Sequence, residues 1–346
     1  MKAIVVEDVG KLKLSEVPEP TLQKDEVLVK VKYCGICGTD IHGINSGLIM
    51  PGMIVGHEFS GEVVDAGKDV ENFKVGDKVA GNSIVPCMHC EYCRRGQIYI
   101  CDEIGIVGIT INGAMAEYIA IRKSALFKIP EGVTLRRAAI LEPLSIALKG
   151  VLLSNFKLSD KVLIIGGGPL GVFVGQLLSL QNKADQFIFI SEINPKRIEI
   201  IKRLSNALII NPSEESLSSI INKATKGKGV EIVYECVGIP KAIQDGIGVV
   251  KKNGQIIIMG VFSETVALDI LNLFMRDITL KSSFGNTEQT FKIALELLEN
   301  NRLDVDPVIT SEVGLSSAIE DGFYNLMRKD TKEIKILVNL ERGELE

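Results

Sequence analysis

A chain of 346 residues is too long for one core of ordinary size, so two domains are expected. With 46% hydrophobic and 24% charged residues it has the composition of a globular protein, and a net charge of −5 gives no footing for nucleic acid or an anionic membrane surface. No apolar run approaches the ~18 residues of a membrane span, and the opening MKAIVVEDVG reads as a strand and not as a secretory leader. The expected location is therefore the cytoplasm, where clustered cysteines bind metal more often than they form disulfides.

Up to about residue 145, short β-rich runs alternate with turns marked by glycine and proline: KAIVV (2–6), EVLVKVKY (26–33) and FSGEVVDAG (59–67). That pattern predicts an irregular antiparallel β domain. From Lys161 onward strands alternate with helices. The strands are KVLII (161–165), FIFI (187–190), ALII (207–210), VEIVY (230–234), QIIIM (255–259) and ITLK (278–281), and the helices between them include 196–205 and 241–250. Continuous apolar strands separated by helices predict a doubly wound, six-stranded parallel sheet covered on both faces, an α/β fold. After Gly285, TEQTFKIALELLENN predicts a helix, a last helix is expected around 315–328, and EIKILVNL predicts a strand. This tail should return to the first domain, giving 1–148 with 287–346 and a second domain of 149–286.

KVLIIGGGPLG places Gly166, Gly168 and Gly171, with Pro169 and Leu170 between the last two, directly after a strand and before a helix. Glycines there let the backbone turn tightly against a pyrophosphate at a helix N-terminus, the signature of a dinucleotide site. Glu192 follows the second strand, 21 positions after Gly171. A carboxylate there accepts hydrogen bonds from a ribose diol and repels a 2′-phosphate, favouring NAD; Lys196 and Arg197 close by keep NADP open.

PCMHCEYCRRGQIYIC packs Cys87, Cys90, Cys93 and Cys101 into one segment. The spacing C-x2-C-x2-C-x7-C lets one lobe, about 86–102, wrap four thiolates around a tetrahedral ion with no open position, which is a structural zinc site. A ferredoxin-type cluster would continue with C-x3-C-P, and this segment does not. YCGICGTDIH and GHEFSG pose a second question, because a catalytic zinc needs about three protein ligands and an open position. His57 and Glu58 are neighbours, and on an extended strand they point to opposite faces unless the turn at Gly56 bends them together. The spacing of Cys34 and Cys37 also suits a redox pair, although no thioredoxin-like pattern surrounds it.

Taken together, GHEFSGEVVDAG, CGICGTD, the four-cysteine lobe and the late GGGPLG loop closely resemble the zinc-containing medium-chain dehydrogenase/reductase family over essentially the whole chain. The resemblance implies a GroES-like first domain, a Rossmann second domain, two zinc ions per chain and oxidation of a small alcohol with NAD(P). It makes Cys37 and His57 ligands of the catalytic zinc, Thr39 the hydroxyl that passes the substrate proton outward, and Cys34 structural. From Thr39 the proton has two routes, the ribose hydroxyls of the cofactor or His42, a lone histidine that equally suits a surface position. Where many relatives supply a second cysteine near the domain junction, this chain reads AAILEPLSIALKG. EPLS resembles the polyol (sorbitol-type) and threonine dehydrogenase branch, which implies Glu142 as the third metal position, with Glu58 as competitor or exchangeable partner. By the same analogy Cys236, Val237, Gly238, Val261, Ser283 and Phe284 line the nicotinamide. The implied reaction takes hydride from a secondary alcohol or polyol to NAD; threonine or 2,3-butanediol dehydrogenation is the alternative on the same site. A protein of another class, an inactive NADPH binder, would have no use for Cys37, Thr39, His57 and Glu142 together. The resemblance also implies a homotetramer or homodimer.

Overall fold

The computed structural model describes residues 1–181, 188–205, 207–328 and 330–342. They form two compact units, Met1–Ser145 with Gly285–Glu346, and Ile146–Phe284. The expected boundaries at 148/149 and 286/287 lie two to three residues further along. The first crossing falls inside the helix Leu141–Leu153, whose first turn is tied to the first unit where the Asn286 side chain donates to Ser145 Oγ at 2.9 Å.

The first unit is built around the strand Glu26–Gly35, in which every second residue of Val27, Val29 and Val31 is buried. This period of two turns one face inward. Antiparallel to it run Glu58–Ala66, Tyr118–Arg122 and Lys335–Asn339, and beyond these lie Lys78–Gly81, Leu126–Lys128 and Ile309–Gly314. Val27, Val29 and Val31 pack with Phe59, Val63, Val79, Ile119 and Ile336, each buried aliphatic side chain contributing roughly 1.5–3 kcal/mol. The C-terminal tail thus returns to this unit. Its expected helix around 315–328 is broken into a 3₁₀ turn (Leu315–Ser317), a π-helical segment (Ala318–Tyr324) and one α turn (Asn325–Met327). Gly322 of the π segment lies against Ile36, where a Cβ would come within 2.6 Å of Ile36 Cδ1.

In the second unit six parallel strands run in the lateral order Leu208–Ile210, Ile188–Ser191, Val162–Ile165, Val230–Glu235, Val250–Ile258 and Thr279–Ser282. This is the doubly wound order whose switch point lies beside Val162–Ile165. Val162 to Ile165 are all buried, as burial on both faces demands. Phe187, placed in a strand by its apolar run, lies outside the described residues. The fifth strand begins at Val250, five residues before the expected start, because its register with the fourth strand jumps from Val230↔Val250 to Ile232↔Gln255. Among the described residues no helix is long and apolar enough to cross a membrane.

Candidate metal centres and dinucleotide site

The sulfurs of Cys87, Cys90, Cys93 and Cys101 all lie within 4.8 Å of one another. Separations of 4.0 Å (Cys87–Cys93) and 3.9 Å (Cys90–Cys101) approach the ~3.8 Å edge of a tetrahedron with metal–sulfur bonds of about 2.3 Å. The chain builds this locally. Ile84–Val85 pairs with Gly105–Ile106 to close the lobe, and Cys90 caps the short helix Glu91–Arg94. Backbone amides point at the sulfurs: Cys90 N at Cys87 Sγ (3.3 Å), Cys93 N at Cys90 Sγ (3.4 Å), and Cys87 N and Glu103 N at Cys101 Sγ (both 3.3 Å). The Cys93 and Asp102 amides draw the Cys90 thiol down to about 6, whereas burial and then the hydrogen bond with Cys90 push Cys93 up to about 12. Four adjacent thiols do not ionise together unaided, but a dication deprotonates its thiol ligands outright. Donor set and spacing both fit zinc.

A second group brings donor atoms of Cys37, His57 and Glu58 within 4.8 Å of one another. Cys37 caps the helix Gly38–Ser46: its sulfur accepts from Thr39 N at 3.5 Å, and Asp40 Oδ2 accepts from Cys37 N at 2.9 Å. The turn before His57 answers the question of opposite faces. Gly56 has φ +90°, and a Cβ there would lie 2.6 Å from Met115 Cγ and 2.8 Å from Cys34 Sγ, so only glycine fits. That bend carries His57 and Glu58 to the same cluster. Cys34 itself is buried in the core and stays out of the donor group.

His57 Nδ1 lies 3.0 Å from Asp40 Oδ1, which has no solvent exposure. Burial is the largest influence on His57 and disfavours its charge, but Asp40 and then Cys37 outweigh it and hold its pKa well above the ordinary value. With Nδ1 engaged by a carboxylate, Nε2 is the nitrogen left for a metal. Glu58 is held differently. Lys335 Nζ donates to its two oxygens at 2.7 and 2.6 Å and to Ile36 O at 2.9 Å, and the two side chains are 0% and 2% exposed. Glu142 opens the helix Leu141–Leu153 and is not in the donor group among the described residues. Its Oε1 accepts from Ser83 Oγ at 2.6 Å, and burial raises its pKa while the nearby His57 charge lowers it. A buried carboxylate with a neutral partner suits a neighbouring cation, so it too fits a metal. Thr39 and His42 are half-buried on the helix Gly38–Ser46, and among the described residues no hydrogen bond joins them.

Asp40 and Lys335 were missed from the sequence. Asp40 left a signal, an acid three residues after Cys37 in CGICGTD, where a capping carboxylate belongs. Lys335 left none, being one lysine in an apolar strand.

In the second unit, Gly166 and Gly168 lie in the turn from Val162–Ile165 to the helix Pro169–Gln181, whose first three residues are Pro169, Leu170 and Gly171. A Cβ on Gly171 would sit 1.9 Å from Gly166 O, so the loop closes this tightly only with glycine. Glu192, just past the second strand, reaches back to the loop: Oε2 accepts from Gly167 N at 2.8 Å and Oε1 from Ile193 N and Asn194 N at 2.8 Å. Asn194 caps the next helix by accepting from Lys196 N and Arg197 N, and Lys196 Nζ lies 3.8 Å from Glu199. Val237 Cγ2 is 2.7 Å from where a Gly166 Cβ would be, Gly238 abuts Val261, and Ser283 N donates to Ile258 O at 2.8 Å. All of these stand at the carboxyl ends of the parallel strands, where doubly wound sheets take ligands. Val237, Val261 and Phe284 are exposed there, while Cys236 joins them through its amide to Ile165 O at 2.9 Å.

A glycine loop on a doubly wound sheet, with sulfur and imidazole donors gathered elsewhere in the chain, is the equipment of a metal-dependent oxidoreductase. Residues 23–131 match the alcohol dehydrogenase GroES-like domain, and residues 169–300 match the zinc-binding dehydrogenase domain. The chain is 32% identical over 329 residues to D-arabitol-phosphate dehydrogenase of Enterococcus avium, covering 93% of this chain and 91% of that protein. It is 32% identical over 305 residues to L-threonine 3-dehydrogenase of Aeromonas hydrophila subsp. hydrophila, covering 86% and 87%. A zinc-binding dehydrogenase of Sinorhizobium meliloti 1021, solved bound to NADP, superposes with a TM-score of 0.88 at 29% identity over 98% of both chains. The chain belongs to the zinc-containing medium-chain alcohol dehydrogenases and is a zinc-dependent alcohol or polyol oxidoreductase.

Proposed function

We propose that the enzyme oxidises a secondary alcohol or polyol, passing hydride to NAD and releasing the ketone. The observation that carries this reading is the half-buried Cys37 beside the buried His57, with Asp40 behind the imidazole, a donor set suited to a reactive metal. Zinc bound there supplies Lewis acidity that acidifies the alcohol hydroxyl. Cys37 and His57 hold it, and Glu142 completes the set. Glu58 lies in the donor group, but its charge is already taken up by the buried Lys335 ammonium, whereas the only hydrogen-bond partner of the Glu142 carboxylate among the described residues is a neutral hydroxyl. Thr39 takes up the substrate proton, and His42, three residues on and so on the same helix face, is the next station. Gly166, Gly168 and Gly171 receive the pyrophosphate, and exposed Val237, Val261 and Phe284 offer an apolar bed for the nicotinamide. Glu192 favours NAD by repelling a 2′-phosphate. Cys87, Cys90, Cys93 and Cys101 hold the second, structural zinc.

The substrate is a polyol, with threonine as the second reading, since threonine dehydrogenases stand among the relatives at the same identity as the arabitol-phosphate enzyme. All seven cysteines are free thiols, which suits the cytoplasm. The enzyme works as a dimer or tetramer. In support, Thr279–Ser282 is an edge strand, and the helix Ile270–Met275 before it leaves Ile270, Leu271, Phe274 and Met275 between 65% and 76% exposed. The test is NADH formation across polyols, polyol phosphates, diols, threonine and simple secondary alcohols. A protein carrying two zinc ions that reduces NAD with none of them would overturn the reading.

A further inference from the structure

We propose that the second unit carries an anion site at the amino ends of its central strands, opposite the glycine loop, and that it takes a di- or triphosphate group. An open basin of about 520 Å³ lies there, lined by Lys228 and Gly227 ahead of the strand Val230–Glu235, by Gly248, Lys251 and Lys252 around the start of Val250–Ile258, and by Arg276. The volume falls in the range of about 300–1,000 Å³ typical of small-molecule sites. No carboxylate lines it.

Its charge is uncompensated. Lys251 is paired with Glu231 at 2.8 Å, but Lys228, Lys252 and Arg276 make no ion pair among the described residues. Arg276 is pinned by neutral acceptors, the carbonyls of Ile247 and Val250, so its orientation is set while its charge remains available. Three such cations around one basin run against a chain whose net charge is −5. The register jump between the fourth and fifth strands, from Val230↔Val250 to Ile232↔Gln255, lets Lys251 and Lys252 leave the ladder and reach the basin.

A second observation is independent of charge. Gly248 sits in the last turn of the helix Pro240–Val249, its φ is not positive, and a Cβ there would meet nothing within 4 Å. Neither packing nor backbone geometry requires glycine, which inside a helix is less stable than alanine. What its absent side chain does is keep the basin open. Gly227 on the other wall is glycine for a different reason, its left-handed φ of +76°, and likewise leaves that wall without a side chain.

The test uses zinc-loaded protein saturated with NAD, so that the glycine loop is occupied, titrated with inorganic pyrophosphate and separately with ADP by calorimetry, with zinc retention measured afterwards. Saturable binding is expected, and Lys228→Gln/Lys252→Gln should weaken it about tenfold, the scale of losing two partly exposed charge contacts. Gly248→Leu should abolish binding while the melting temperature holds or rises and alcohol oxidation is unchanged. Equal affinity for the two probes identifies a site for the phosphates alone, and tighter ADP identifies a nucleotide site. No saturable binding at millimolar probe, binding that NAD displaces, or affinity unchanged in both variants would overturn the proposal.

Discussion

Lys335→Met should destabilise the first unit by about 3–5 kcal/mol, the range for removing one partner of a buried ion pair. Glu58 is fully buried and Lys335 2% exposed, so the carboxylate left behind has no water to replace the two hydrogen bonds of 2.7 and 2.6 Å, and Ile36 O also loses its donor. Methionine fills most of the lysine stem's volume, which keeps a cavity from confusing the result. In a unit of roughly 200 residues each kcal/mol shifts the melting temperature by about 2–4 °C, so a fall of about 10 °C is expected. Calorimetry of zinc-loaded protein measures it beside the double variant Glu58→Gln/Lys335→Met. Because the stranded charge is the main cost, the double variant should recover much of the loss. A single variant within about 2 °C of wild type, or a double variant no more stable than the single, would refute the reasoning.

Cys93→Ser should lower the zinc content from two ions to one and lower the melting temperature, and metal analysis with unchanged stoichiometry would count against the structural site. Glu142→Ala should lose the catalytic zinc, with affinity falling beyond the ~10–100-fold of an outer-sphere change, whereas Glu58→Ala should keep it; the opposite pattern transfers the ligand role to Glu58. Glu192→Ala should narrow the gap in kcat/KM between NAD and NADP, and a wild type that prefers NADP defeats the assignment. Burial lowers the Lys149 pKa from 10.5 to about 8. The folded state therefore binds fewer protons than the unfolded one between those values, and stability rises as pH climbs through that window. The melting temperature of wild type relative to Lys149→Met should rise accordingly, and a flat difference would show that the side chain is not desolvated.

Features written within a short stretch were legible from the sequence alone. The six apolar strands, the glycine loop and the cysteine segment 87–101 each depend on neighbours a few residues apart, so spacing alone states the geometry. The same holds for the expectation that the tail rejoins the first unit, since a second β run after the last parallel strand has only one β domain to join. Other features depend on which distant surfaces meet. The pairing of Glu58 with Lys335 spans 277 residues, that of Glu142 with Ser83 spans 59, and that of His57 with Asp40 spans 17. Each was chosen by burial, because a charge or acceptor removed from water takes whatever partner the packed core brings within reach. Spacing raised a turn at Gly56 but could not decide whether it brings His57 and Glu58 to one side, and it gave no sign that Gly322 against Ile36 would accompany a π segment in the last helix. Only tertiary packing decided that Glu58 faces a lysine while Glu142 faces a hydroxyl, and that difference in partner charge separates the two carboxylates chemically.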